Sequence, residues 1–167
     1  NNLNDGMIWG LLPMFLLQSQ FSIQEIGIIA AVYPSVWGVG QLFTGKMSDK
    51  YSKKKMLVAG MLLQGFAIVL IPYLNKYPLL ILLSALLGLG TALVYPTFLT
   101  TIAQTTSPSQ RAESIGVFRL WRDAGYAFGA ILSGITAEFF GIETAIISTG
   151  IVTLLSGLSI KLRMPHN

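Results

Sequence analysis

Six long apolar stretches divide the chain, at about 1–18, 23–47, 53–74, 78–104, 108–140 and 143–162. Each approaches the ~20 residues a helix needs to cross a bilayer core. The breaks between them are short and polar, so neighbouring helices run antiparallel. Local start signals fit this division. Ser22 followed by Glu25 makes a capping box, with Phe21 placed to staple onto Ile26. Ser107-Pro108-Ser109-Gln110 makes another, with Pro at the first helical position. The pattern predicts an all-α transmembrane fold, a six-helix bundle forming a single domain over 1–167.

Composition narrows the class further. Of 167 residues, 53% are hydrophobic and 11% charged, and mean hydropathy is +0.64. Soluble domains carry about 25% charged residues, so the net charge of +4 is no nucleic-acid footprint. The distribution of the basic residues carries more information. If the lysine-rich break near 50 faces the cytoplasm, then Lys46, Lys50, Lys53, Lys54, Lys55, Arg111, Lys161 and Arg163 lie on that side, and Lys76 alone on the other. By the positive-inside rule both termini are then cytoplasmic. With no cysteine and one histidine, His166 in the tail, the sequence supplies no metal cluster, no thiol nucleophile and no cofactor site. A membrane enzyme is disfavoured. The chain begins at Asn1 without Met or a leader pattern, as a piece of something longer would.

Charges inside a spanning helix are costly and usually face water or a partner. The fifth stretch carries Arg119, Arg122 and Asp123, which share a helix face with Tyr126. Arg122 lies about 16 Å beyond Arg111 along a helix axis, near mid-membrane. Two readings stand: a substrate or proton pathway, or an Arg119–Asp123 (i, i+4) pair serving packing. Near the start, Asn1, Asp5 and Trp9 follow (i, i+4) spacing. Either Asn4 or Asp5 caps a helix beginning at Gly6, or the helix begins earlier and places both within the membrane. Tyr33, Trp37 and Gln41 share a face of the second stretch, and Tyr95-Pro96 lies deep in the fourth. These residues line a cavity or anchor and pack the helices. Asp5, Gln41, Tyr95 and Arg122 are expected to converge on one concave face, with the third helix farthest from it. Gly125, Gly129 and Ser133 form a small-residue stripe for close helix packing.

Residues 45 to 57 read Gly-Lys-Met-Ser-Asp-Lys-Tyr-Ser-Lys-Lys-Lys-Met-Leu. The run resembles the loop signature of the major facilitator superfamily of transporters, with Gly45, Asp49, Lys50, Lys53 and Lys54 on its key positions. Ser52 stands where Gly is usual. Gly116, Gly125, Gly129 and Gly134 resemble the glycine pattern of the fifth helix in the superfamily's antiporters, with Ala130 in place of its Pro. The resemblance implies half of a twelve-helix fold, two six-helix halves rocking about a midplane site. Gly88-Leu89-Gly90, with Ser84 where first halves often have Arg, leans towards the C-terminal half. It implies a secondary transporter of a prokaryotic plasma membrane moving a small-molecule substrate by alternating access. A proton would serve as coupling ion, Asp5 or Asp123 as its carrier, and the other six-helix half as partner within the lipid bilayer. Asp49 would latch the other half. A non-transporting membrane subunit or receptor-like protein is the alternative.

Overall fold

The computed structural model describes residues 2–164, the side chain of Asp49 excepted. Six helices follow in order: α1 (Asn2–Gln18), α2 (Ile23–Lys50), α3 (Lys53–Leu70), α4 (Tyr77–Thr105), α5 (Arg111–Phe140) and α6 (Ile142–Arg163). The ends of these helices have local chemical causes. α1 stops in a Schellman motif: Phe21 N–H donates to Leu16 O at 3.2 Å and Gln20 N–H to Leu17 O at 3.1 Å, with Gln20 at φ +65°. α2 starts on a complete capping box. Ser22 Oγ accepts from Glu25 N–H at 3.3 Å, and the Glu25 carboxylate accepts from Ser22 N–H at 2.9 Å. Gly141, at φ +87°, ends α5 and caps α6. A one-residue reversal of that kind needs the left-handed freedom of glycine.

Three boundaries differ from the pattern's reading. α3 ends at Leu70 rather than near 74: Ile71 keeps helical φ/ψ of −51° and −50°, but Pro72 has no N–H to continue the ladder. Ser107-Pro108-Ser109-Gln110 forms no helix start. Gln110 N–H bonds Ser107 O at 3.0 Å in a turn, and Ser107 Oγ meets the Gln110 side chain rather than a helix N–H. α5 therefore begins at Arg111. α2 continues to Lys50, so Gly45, Asp49 and Lys50 are helical and only Tyr51 and Ser52 separate α2 from α3.

The core lies between α1, α2, α3, α4 and α6. Met7, Leu12 and Leu16 meet Ile29, Ile68, Leu80, Leu87 and Ile146, all nearly or fully buried. α5 gives this core only the half-buried Ala137. It instead packs on α1 and α6 while α2 packs on α4. Few contacts join α1 to α2 or α4 to α5, so a seam runs between the α1/α5 and α2/α4 pairs. The α1–α5 crossing is backbone on backbone. A Cβ at Gly6 would sit 2.7 Å from Ala130 N, and one at Gly129 2.8 Å from Leu3 Cα. Small residues permit that approach where lipid supplies no hydrophobic drive. Gly125 makes an ordinary contact with Asn2, but Gly116 and Gly134 face open space and serve no packing here, a correction to the glycine pattern. They lie off the strip of α5 that meets α1.

Outside, Phe43, Leu120, Trp121, Phe128, Phe139, Phe140 and Leu162 are exposed, an apolar exterior suited to lipid rather than water. α2, α4 and α6 are long and apolar enough, by length and composition, to cross a membrane. The other helices carry more polar residues: Asn4 and Asp5 in α1, three lysines opening α3, and the charges of α5. The chain is an integral membrane protein.

Candidate functional site

The seam widens into a cavity of about 210 Å³. α1 lines it with Asn2, Asp5 and Trp9, and α2 with Tyr33 and Trp37. α4 adds Thr91 and Tyr95, and α5 adds Arg122, Asp123 and Tyr126. α3 and α6 give it no side chain.

Two polar clasps cross the seam. In the first, Tyr33 Oη donates to Asp5 Oδ1 at 2.5 Å and lies 3.4 Å from Thr91 Oγ1. Asn2 Nδ2 donates to the other Asp5 oxygen at 3.2 Å. Asp5 sits in the first turn of α1 and is buried. It is no helix cap, since α1 begins before it. In the second clasp, Arg122 Nη1 donates to Tyr95 Oη at 3.0 Å, and the guanidinium carbon stands 5.7 Å over the Tyr95 ring. Arg122 Nε also donates to Asp123 Oδ1 at 2.8 Å. Asp123 is 66% exposed and Arg122 27%.

Aromatic rings tile the wall between the clasps. Trp9 meets Tyr33 edge-on at 6.3 Å, Tyr33 stacks on Trp37 at 6.1 Å, and Trp37 meets Tyr95 edge-on at 6.1 Å. The row continues through Phe118 to Phe98. The indole Nε1 of Trp37 is buried with no hydrogen-bond partner among the described residues.

Asp5, Trp37, Tyr95, Arg122, Asp123 and Tyr126 thus meet at one cavity, as their placement on helix faces anticipates. Three residues do not. Asn4 is buried but turns to α3, where its Nδ2 donates to Gln64 Oε1 at 2.7 Å. Through Gln64, α3 comes closer to the polar cluster than expected, although it lines no wall. Gln41 lies one turn past Trp37, beyond the end of the cavity. Arg119 is exposed a turn before Arg122, and the (i, i+4) pair with Asp123 that the packing reading called for is absent. Asp123 turns instead to its sequence neighbour Arg122, which Tyr95 holds in place. Tyr33 of α2 and Thr91 of α4 also line the cavity. Tyr33 falls one turn before Trp37 on the same face, and that spacing was the available signal.

The lysine end of the bundle is also organised. Lys54 is buried and its Nζ donates to Met164 O, the carbonyl closing α6, at 2.5 Å. Lys53 Nζ bonds Gln104 Oε1 near the end of α4. With Lys50, these lysines line a second cavity of about 540 Å³. Gly45 faces open space. The Asp49 side chain, Asn1 and His166 lie outside the described residues, so the latch expected of Asp49 has no description here. Among the described residues no group of three metal-ligating side chains comes together.

Known proteins fall in line with this architecture. An uncharacterized transporter of Buchnera aphidicola from Schizaphis graminum is 26% identical over 89% of the chain and 36% of its own length. The inner membrane transport protein YnfM of Escherichia coli is 24% identical over 94% of the chain and 38% of its own length. The quinolone resistance protein NorA of Staphylococcus aureus is 22% identical over 80% and 34%. The chain therefore spans between a third and two fifths of the length of these curated relatives. The model of the Major Facilitator Superfamily matches residues 1–167 from end to end, and the chain belongs to that family.

Proposed function

We propose that this chain is one six-helix half, the C-terminal one, of a secondary active transporter that carries a small solute by alternating access. The observation that carries the reading is the convergence of Asp5, Arg122 and Asp123 on one cavity within an apolar bundle. Ionisable groups at such depth are expensive to insert and mark pathways. Arg122 holds the solute, and Asp5 or Asp123 binds and releases the coupling proton. The clasps at Tyr33 and Tyr95 orient these groups. The relatives' names, a transport protein and a resistance protein among them, support transport without agreeing on a solute. The other six-helix half closes the cavity from the opposite side. The lysine end faces the cytoplasm, a reading that the distribution of Lys and Arg supports, and the membrane is a prokaryotic plasma membrane.

Accessibility tests this without knowledge of the solute. The chain has no cysteine, so Tyr126→Cys, made in the full-length protein with any outside cysteines replaced, gives a single cavity label. An impermeant thiol reagent should reach it both in intact cells and in inside-out vesicles. A site open to one face only, under every condition, overturns alternating access and leaves a membrane subunit as the better reading.

A further inference from the structure

The hydrogen-bond inventory of the cavity is unbalanced. On the wall made by α2, α4 and α5, several donors stand unengaged beside a single carboxylate, Asp123, which Arg122 already holds through one oxygen. Trp37 Nε1 is a buried donor without an acceptor among the described residues. Tyr95 Oη already accepts from Arg122, so its own hydrogen is available to something else. Arg122 uses Nε on Asp123 and Nη1 on Tyr95, which leaves part of its guanidinium fork unengaged. Across the seam the Asp5 carboxylate is already partnered. Both Asp5 oxygens receive protein donors, from Tyr33 and Asn2.

We propose that the solute of this cavity is an aromatic carboxylate, its acid group held by Arg122, Tyr95 and Trp37 and its ring laid against the aromatic wall. The proposal rests on the transport reading for its site and adds the chemical class. A carboxylate matches the planar fork of arginine in geometry as well as charge. Within the protein, Asp123 occupies part of that fork, from an exposed position that lets it swing away. It is a built-in competitor that a ligand carboxylate displaces. The ring follows from the neighbours: Tyr33, Trp37 and Tyr95 lie at ring spacings of 6.1 Å, in the range of favourable aromatic contacts. Size agrees too. A cavity of about 150 Å³ admits benzene, and this half alone encloses about 210 Å³. An organic cation fits less well. It would meet Arg122 at the same wall; of the two cavity carboxylates, Asp5 has both oxygens engaged and Asp123 is already paired with Arg122.

The test is calorimetric titration of the full-length protein in lipid nanodiscs with four probes: benzoate, indole-3-acetate, acetate and benzyltrimethylammonium. The two aromatic carboxylates should bind, and acetate at least roughly tenfold more weakly, since it lacks the ring. Arg122→Gln should weaken benzoate roughly ten- to hundredfold, the range expected on losing a charge-assisted bond. Trp37→Phe keeps a ring but loses the N–H, and should weaken benzoate several-fold. Asp123→Asn removes the competitor and should tighten benzoate binding, which a merely structural role for the pair would not do. The Asp123→Asn arm remains decisive even if Arg122→Gln fails to fold. Binding of neither aromatic carboxylate, tighter binding of benzyltrimethylammonium than of benzoate, or weaker benzoate binding in Asp123→Asn each overturns the proposal. Two-sided labelling of Tyr126→Cys without aromatic carboxylate binding would leave the transport reading standing and sink this one. Benzoate binding with one-sided labelling would do the reverse.

Discussion

Replacing Tyr33 by Phe removes one oxygen from the seam and little else, which makes its cost calculable. That oxygen donates to Asp5 at 2.5 Å and lies 3.4 Å from Thr91. Thr91 is not left wanting, since its hydroxyl also donates to Leu87 O at 3.1 Å. Asp5 keeps Asn2 at 3.2 Å but loses its shorter bond. The ring stays stacked on Trp37, so the packing term is small. A hydrogen bond to a charged group contributes about 1.5–3 kcal/mol in soluble proteins. Within membranes the measured mean is ~0.6 and the maximum ~1.7 kcal/mol, because the unfolded inserted chain also finds partners. A short bond to a buried carboxylate belongs at the top of the membrane range, about 1.5 kcal/mol. The assay is a double-mutant cycle of Tyr33→Phe and Asp5→Asn, read by reversible unfolding in mixed micelles. The expected coupling is about 1.5 kcal/mol, near a tenfold change in the folding equilibrium. Coupling below ~0.5 kcal/mol, the ordinary scatter of independent sites, would refute the clasp.

Four further outcomes follow from the same structure. Gly129→Ala should destabilise by about 1–3 kcal/mol, because its Cβ meets Leu3 backbone that cannot yield. Gly134→Ala, with open space around it, should be neutral or stabilise by up to ~1 kcal/mol in the same thermal melt. Lys54→Met should lower stability by about 1–2 kcal/mol through loss of the bond closing α6, whereas the exposed Lys55→Met stays within ~0.5 kcal/mol on chemical unfolding. Single cysteines at Ser19 and Ser52 should label oppositely in intact cells, Ser19 reacting with an impermeant reagent and Ser52 protected. The reverse pattern would invert the topology.

Much of this architecture can be read from residue pattern alone, and the exceptions share a cause. The six helices are legible because apolar runs of membrane length admit few other structures. Asp5, Arg122 and Asp123 stand out because charge in such runs is rare. What the pattern could not supply is choice of partner. On an isolated α5, Asp123 faces Arg119 at (i, i+4). In the bundle, Tyr95 on α4 draws the Arg122 guanidinium, and Asp123 follows it. Gln41 shares a face with Tyr33 and Trp37, yet a face has length, and the cavity ends before it. Gly116 and Gly134 belong to a glycine pattern whose packing use depends on where α1 crosses, a fact of α1 rather than of α5. The early end of α3 was legible in Pro72, a local rule that the apolar run conceals.

The backbone contact between Gly6 and Gly129 also sets a timetable for synthesis. Chains emerge at about 5–20 residues per second, so ~120 residues of separation keep α1 without its main packing partner for on the order of ten seconds. Its polar groups do not wait so long. Tyr33 follows Asp5 by 28 residues and Gln64 follows Asn4 by 60, so each gains a hydrogen-bond partner while α5 is still being made. The early partners of α1 are therefore side chains that neutralise its polarity, and the late one is a surface that fits its shape. A defect at Gly129 should leave a fully inserted but undocked α1, which quality-control proteases would meet as a loose first helix rather than as a failure of insertion.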